Sequence, residues 1–141
     1  MEINSTAADT QILVVDDNEE LRELAIQLVE GLGYAACSAG TGAEAIATLM
    51  ADPTIDLLFT DVLMPGGMSG FELASEIRGR RPDIAILAMS GFPGSFLPSD
   101  RPNNGFEIIR KPFTQAELSA ALARAHVNSA TQAGRVGGRA Q

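Results

Sequence analysis

A chain of 141 residues with a formal net charge of −8 has room for one domain and a core that needs no disulfide, and its acidity argues against a nucleic-acid surface or attraction to anionic lipid. Its single cysteine, Cys37, excludes an internal disulfide and suits a reducing compartment. Residues 1–10 have neither the basic segment nor the apolar stretch of a signal peptide, and no run approaches the ~20 apolar residues of a membrane helix, so the expected location is the cytoplasm.

In chain order, short apolar runs alternate with helical patterns. Residues 1–9 are polar and are expected to be disordered. Ile12 to Val15 is the first predicted strand and runs into Asp16 and Asp17. From Glu19 to Gly31, Leu21, Leu24, Ala25, Leu28 and Val29 recur at helical spacing, with Asn18 as N-cap and Gly31 or Gly33 as the stop. Tyr34 to Ser38 is a short second strand, and Thr41 to Met50 a helix with Ala45, Ile46 and Leu49 on its apolar face. Ile55 to Thr60 forms a third strand that runs into Asp61. A loop from Val62 to Ser69 then leads to a helix over about Gly70 to Arg78, with Phe71, Leu73, Ala74 and Ile77 as its apolar set.

Pro82 bounds a fourth strand, Ile84 to Met89, which runs into Ser90. Phe106 to Arg110 is the fifth, running into Lys111. Between Ser90 and that fifth strand, three prolines and three glycines in fifteen residues oppose a full helix. The last helix is expected from about Thr114 to Val127, burying Ala116, Leu118, Ala121, Leu122 and Ala125, and a disordered tail covers residues 128–141. The sum is an α/β, flavodoxin-like, doubly wound five-stranded parallel sheet of order 2-1-3-4-5, with a short or irregular fourth helix.

Ligands of open parallel sheets bind outside the carboxyl ends of the strands, and four of the five predicted strands run into residues that can do chemistry. Asp16, Asp17 and Asp61 would repel one another, by roughly 3 kcal/mol for two carboxylates ~5 Å apart at an effective dielectric near 20. A cation relieves that. All-oxygen ligands open to water suit Mg²⁺; Mn²⁺ can substitute, and Zn²⁺ is not expected. A metal with an open position, a carboxylate nucleophile, a lysine and a hydroxyl together describe phosphoryl transfer. Asp61, alone at its strand end, is the candidate nucleophile, with Asp16 and Asp17 holding the metal. Lys111 would pair with Asp61 and then with phosphoryl oxygens, and Ser90 would donate a hydrogen bond to one of them.

Asp16-Asp17, Asp61-Val62-Leu63-Met64-Pro65, Ser90-Gly91 and Lys111-Pro112-Phe113, in this order at strand ends, resemble the receiver domain of two-component response regulators over about residues 10–127. The resemblance implies that Asp61 takes a phosphoryl group from the phosphohistidine of a sensor histidine kinase or a histidine phosphotransfer protein. It also implies that Leu63 offers its backbone carbonyl to Mg²⁺ and that Lys111-Pro112 is a cis peptide. The downstream partner is a protein of unknown identity, reached by contact or by relay, with no nucleic acid or membrane involved.

Three features depart from the family pattern. Ile108 stands where many members carry a switch aromatic, the fourth helix is degraded, and Gly66-Gly67 lengthens the loop after Asp61 by one residue. The Gly-Gly-Met-Ser-Gly stretch is most similar to receivers of hybrid histidine kinases, so the chain is a stand-alone receiver or one cut from a larger protein. Alternatives are a small aspartyl-phosphate phosphatase, opposed by Leu63 where a second acid would stand, and a docking pseudo-receiver that takes no phosphate. His126 reads as a surface residue at a helix end rather than a phosphoacceptor, and Cys37 as a small buried hydrophobe. Met64, Met68 and Met89 read as packing and loop residues, and Arg135 and Arg139 as solvated.

Overall fold

Successive side chains of a strand point to opposite faces, so a strand buried on both faces must be apolar at every position. Ile12, Leu13, Val14 and Val15 all have 0% exposure. Ile12 and Val14 enter one core layer with Ala25, Val29, Leu118 and Leu122; Leu13 and Val15 enter the other with Ala45, Leu49, Leu73 and Ile77. The computed structural model describes residues 10–62, 69–90, 107–110 and 113–125.

The strands β1 (Gln11–Val15), β2 (Ala35–Ala39), β3 (Ile55–Asp61), β4 (Ala85–Ser90) and β5 (Glu107–Arg110) form one parallel sheet in the order β2-β1-β3-β4-β5. The helices are α1 (Glu19–Gly31), α2 (Gly42–Ala51) and α3 (Gly70–Arg80), and a last helix covers the described residues 115–125. This is the doubly wound, flavodoxin-like architecture expected from the sequence. Because every strand runs the same way, all carboxyl ends lie at one edge. The expected irregular crossover after β4 and the two terminal segments lie outside the described residues.

Local chemistry sets the element ends. Asn18, Thr41 and Ser69 each accept a backbone N–H in the first turn of α1, α2 and α3, and Ser69 with Glu72 completes a reciprocal capping box. Of the two glycines that could stop α1, Gly33 does so: its φ of 101° lies in the left-handed region where a side chain is disfavoured. Gly33 N–H donates to the Glu30 carbonyl (3.0 Å) and Tyr34 N–H to the Val29 carbonyl (3.3 Å), which satisfies two orphan acceptors. Tyr34 is thereby tied to the helix, and β2 begins one residue later than the pattern predicts.

The apolar stripe of α1 is narrower than its spacing implies. Ala25 and Val29 are buried, but Leu21 and Leu24 are 44% and 52% exposed. Leu24 is turned ~100° from Ala25, and Leu21 lies in the first turn, where helix side chains point back toward the helix start. In the last helix Ala116 is exposed for the same reason, ~200° round from the buried Leu118. Cys37 is half-buried on the edge strand and accepts from Gln11 Nε2 at 3.7 Å; burial pushes its thiol up, away from the reactive thiolate.

These assignments predict unequal responses to two truncations, the smaller deletion costing more. Ile86→Val should cost about 1 kcal/mol in urea unfolding, and Leu24→Ala less than ~0.5 kcal/mol.

Candidate functional site

Asp16 and Asp17 follow β1 directly, and Asp61 is the last residue of β3, the strand paired with β1. This adjacency brings ligand oxygens of all three carboxylates within 4.8 Å of one another. Asp16 and Asp61 are buried, at 1% and 8% exposure, while Asp17 opens to water.

The backbone holds these acids in place. Asp16 Oδ1 accepts the Asn18 N–H at 3.0 Å, which folds the turn leading into α1, and Asp16 N–H donates to the Ala39 carbonyl of β2 at 3.3 Å. Beyond Asp61, Val62 N–H donates to the Met89 carbonyl at 2.9 Å, so the β3–β4 pairing continues past the acid. Thr60, fully buried, donates its hydroxyl to the Asp61 carbonyl at 3.0 Å.

The 62–70 connection is closed by Gly70 N–H donating to the Val62 carbonyl at 2.8 Å. A Cβ on Gly70 would overlap the Asp61 carbonyl oxygen and lie 2.7 Å from the Val62 Cα. The start of α3 can therefore rest against the Asp61–Val62 peptide only because residue 70 has no side chain.

The donor set fits a hard divalent cation. It is all carboxylate oxygen, with no imidazole or thiol in the group, and its exposed member leaves a side open for water or phosphate oxygen. The structure thus brings together Asp16, Asp17 and Asp61. Ser90 is the last residue of β4, paired with Arg110 of β5, which places its backbone at the same sheet edge. The Ser90 side chain, Leu63, Lys111, the Lys111-Pro112 peptide and His126 lie outside the described residues. Ile108 is half-buried on the edge strand β5.

Two contributors were not expected as site residues: Gly70, which closes the Gly-Gly-Met-Ser-Gly stretch, and Arg22, whose Nη1 donates to the Asp16 carbonyl at 2.8 Å. One signal was available for Arg22, which is the only Lys or Arg before Arg78 in an acidic stretch.

A five-stranded parallel sheet of this order with an acidic cluster at its carboxyl edge defines the class: a flavodoxin-like α/β protein with a candidate divalent-cation site. The model of the response regulator receiver domain matches residues 12–123, and the chain belongs to that family, the receiver domains of two-component systems, in which phosphorylation and Mg²⁺ binding are typical. It is 33% identical over 110 residues to the response regulator receiver protein CpdR of Brucella abortus, covering 77% of this chain and 89% of that one. It is 35% identical over 103 residues to the sensor histidine kinase AtsR of Burkholderia thailandensis, covering 70% of this chain but only 17% of that protein. A receiver domain from Clostridium thermocellum superposes with a TM-score of 0.76 at 27% identity, covering 86% of this chain and 98% of that one. Among the described residues no helix is long and apolar enough to cross a membrane.

Two substitutions test this geometry. Gly70→Ala should displace the Asp61 backbone, lowering stability in urea unfolding by about 2 kcal/mol and weakening Mg²⁺ binding in the same samples. Asp17→Asn should raise metal-free stability by about 1 kcal/mol, since its two repulsions, with Asp16 and Asp61, are relieved but are screened by water at this exposed residue, and should abolish any stabilisation by added Mg²⁺.

Proposed function

We propose that this chain is a phosphoacceptor receiver, with Asp61 accepting a phosphoryl group from the phosphohistidine of a sensor histidine kinase or a histidine phosphotransfer protein. The observation that carries this reading is the cluster of Asp16, Asp17 and Asp61 at the carboxyl edge of adjacent strands, in a chain of the receiver family. Asp16, Asp17, Asp61 and the Leu63 carbonyl hold Mg²⁺, which when bound neutralises charge on the transferring group.

An Asp61 carboxylate oxygen attacks phosphorus; the P–O bond forms as the P–N bond to the partner's imidazole breaks, and the imidazole nitrogen leaves with the electron pair. The backbone bonds around Asp61 support this role, because a nucleophile already fixed in place needs little reorganisation to react. Lys111 pairs with Asp61 and then with the phosphoryl oxygens, and Ser90 donates to one of those oxygens. The receiver domain spans residues 10–127, works in the cytoplasm, and reacts once per phosphoryl group on its own side chain rather than turning over a substrate.

Phosphorylation then biases a two-state equilibrium that is read by protein contact or by relay. With Ile108 at the switch position, the output does not run through an aromatic rotamer there.

The test is phosphoryl transfer from a labelled cognate kinase or phosphotransfer protein. Labelling of the wild-type chain should be Mg²⁺-dependent and alkali-labile, and should be absent in Asp61→Asn. Persistent alkali-labile label in that variant would place the acceptor elsewhere.

A further inference from the structure

The acidic turn is tied to the rest of the sheet edge by a side chain that belongs to none of the motifs above. Arg22 lies one turn into α1, and helix side chains lean toward the helix N-terminus, so its guanidinium reaches back over the turn that precedes it. There Nη1 donates to the Asp16 carbonyl at 2.8 Å. The same head lies against the β2–α2 turn. A Cβ on Gly40 would sit 3.2 Å from Arg22 Nη1 and 3.7 Å from Glu44 Oε1, so the guanidinium occupies the notch that Gly40 leaves open. That turn is itself ordered: Glu44 Oε1 accepts the Gly40 N–H at 2.9 Å, and Thr41 Oγ1 accepts the Glu44 N–H at 3.0 Å.

We propose that Arg22 is a positioning residue for the metal-binding acids, fixing the Asp16–Asp17 turn and mechanically linking it to the Gly40–Glu44 turn. The proposal rests on reading the three carboxylates as a divalent-cation site. Without a cation their mutual repulsion favours spreading, and Asp16 and Asp17 stand beyond the last residue of β1, where the turn rather than the sheet ladder must resist it. A charged guanidinium donating to the Asp16 carbonyl opposes that spreading on the backbone, without taking up a carboxylate oxygen needed by the cation. Because the same planar head packs beside Gly40, cation binding that tightens the acidic turn is felt at the N-terminus of α2.

The test is Mg²⁺ titration of the full chain followed by amide NMR, with metal-free stability measured in parallel by urea unfolding. In the wild type, Mg²⁺ should move the amides of Asp17 and Asp61 and also those of Gly40 and Glu44. Arg22→Gln should weaken Mg²⁺ binding about 10-fold, the lower end of the range for residues supporting metal ligands, and should erase the Gly40 and Glu44 responses. Arg22→Lys, which can still donate to the carbonyl, should recover most of the affinity but not the remote shifts. Gly40→Leu fills the notch from the other side and leaves Asp16, Asp17 and Asp61 in place, so it should weaken Mg²⁺ binding and erase the Glu44 response as Arg22→Gln does.

Unchanged Mg²⁺ affinity and an unchanged Glu44 shift in Arg22→Gln and Gly40→Leu, with or without lost stability, would make Arg22 at most an ordinary fold staple and overturn the proposal alone. A wild-type chain without Mg²⁺ response at Asp17 and Asp61 would overturn the cation-site reading, and this proposal with it.

Discussion

Three carboxylates with oxygens within 4.8 Å of one another form an arrangement that a flexible chain would relax away, since each pair repels by roughly 3 kcal/mol at an effective dielectric near 20. Here relaxation is opposed by the most rigid part of the molecule. The acids sit at the ends of β1 and β3, two inner strands of the sheet, whose side chains are buried on both faces. Moving Asp16 or Asp61 outward would drag strand ends whose preceding residues are fully buried. Hydrophobic burial is therefore what keeps like charges together, in a donor set that fits a divalent cation.

Much of the site's geometry depends on small backbone contacts rather than on the acids themselves. Gly70 lets the start of α3 approach the Asp61–Val62 peptide, and its N–H closes the connection back to Val62. Thr60, buried beside the acid, supplies a hydroxyl to the Asp61 carbonyl. On the other side, Asp16 is held through its own carboxylate, its N–H and its carbonyl. The carboxylates can thus differ in exposure, with Asp16 and Asp61 sealed and Asp17 facing water, while remaining one cluster.

The chain covers nearly all of a small receiver protein but only a minor part of a sensor kinase, at comparable identity. A fold that serves in both contexts must present its chemistry without help from neighbouring domains. A cluster built from two adjacent strands of one sheet meets that requirement, because among the described residues the backbone contacts that position it come from the same sheet and its helices.

Most of the architecture could be read from the amino-acid pattern, for a physical reason. Runs such as Ile12–Val15 and Leu57–Phe59 are apolar at every position only when both faces are covered, and that condition selects a parallel sheet with helices on each side. Element ends were also legible where a single side chain decides them, as Asn18 does at the start of α1. Periodicity alone could not say which apolar residues stay outside: Leu21 and Leu24 keep helical spacing yet face water, because exposure depends on what lies beneath the helix. The choice between Gly31 and Gly33 as the stop of α1 was likewise settled by the backbone, at a positive φ. The amino-acid order by itself determined the strands, their direction and the identity of the acids at their ends. Only the tertiary structure decided that α3 lies against Asp61 at Gly70 and that Arg22 spans two turns, since both are contacts between segments with no shared local pattern.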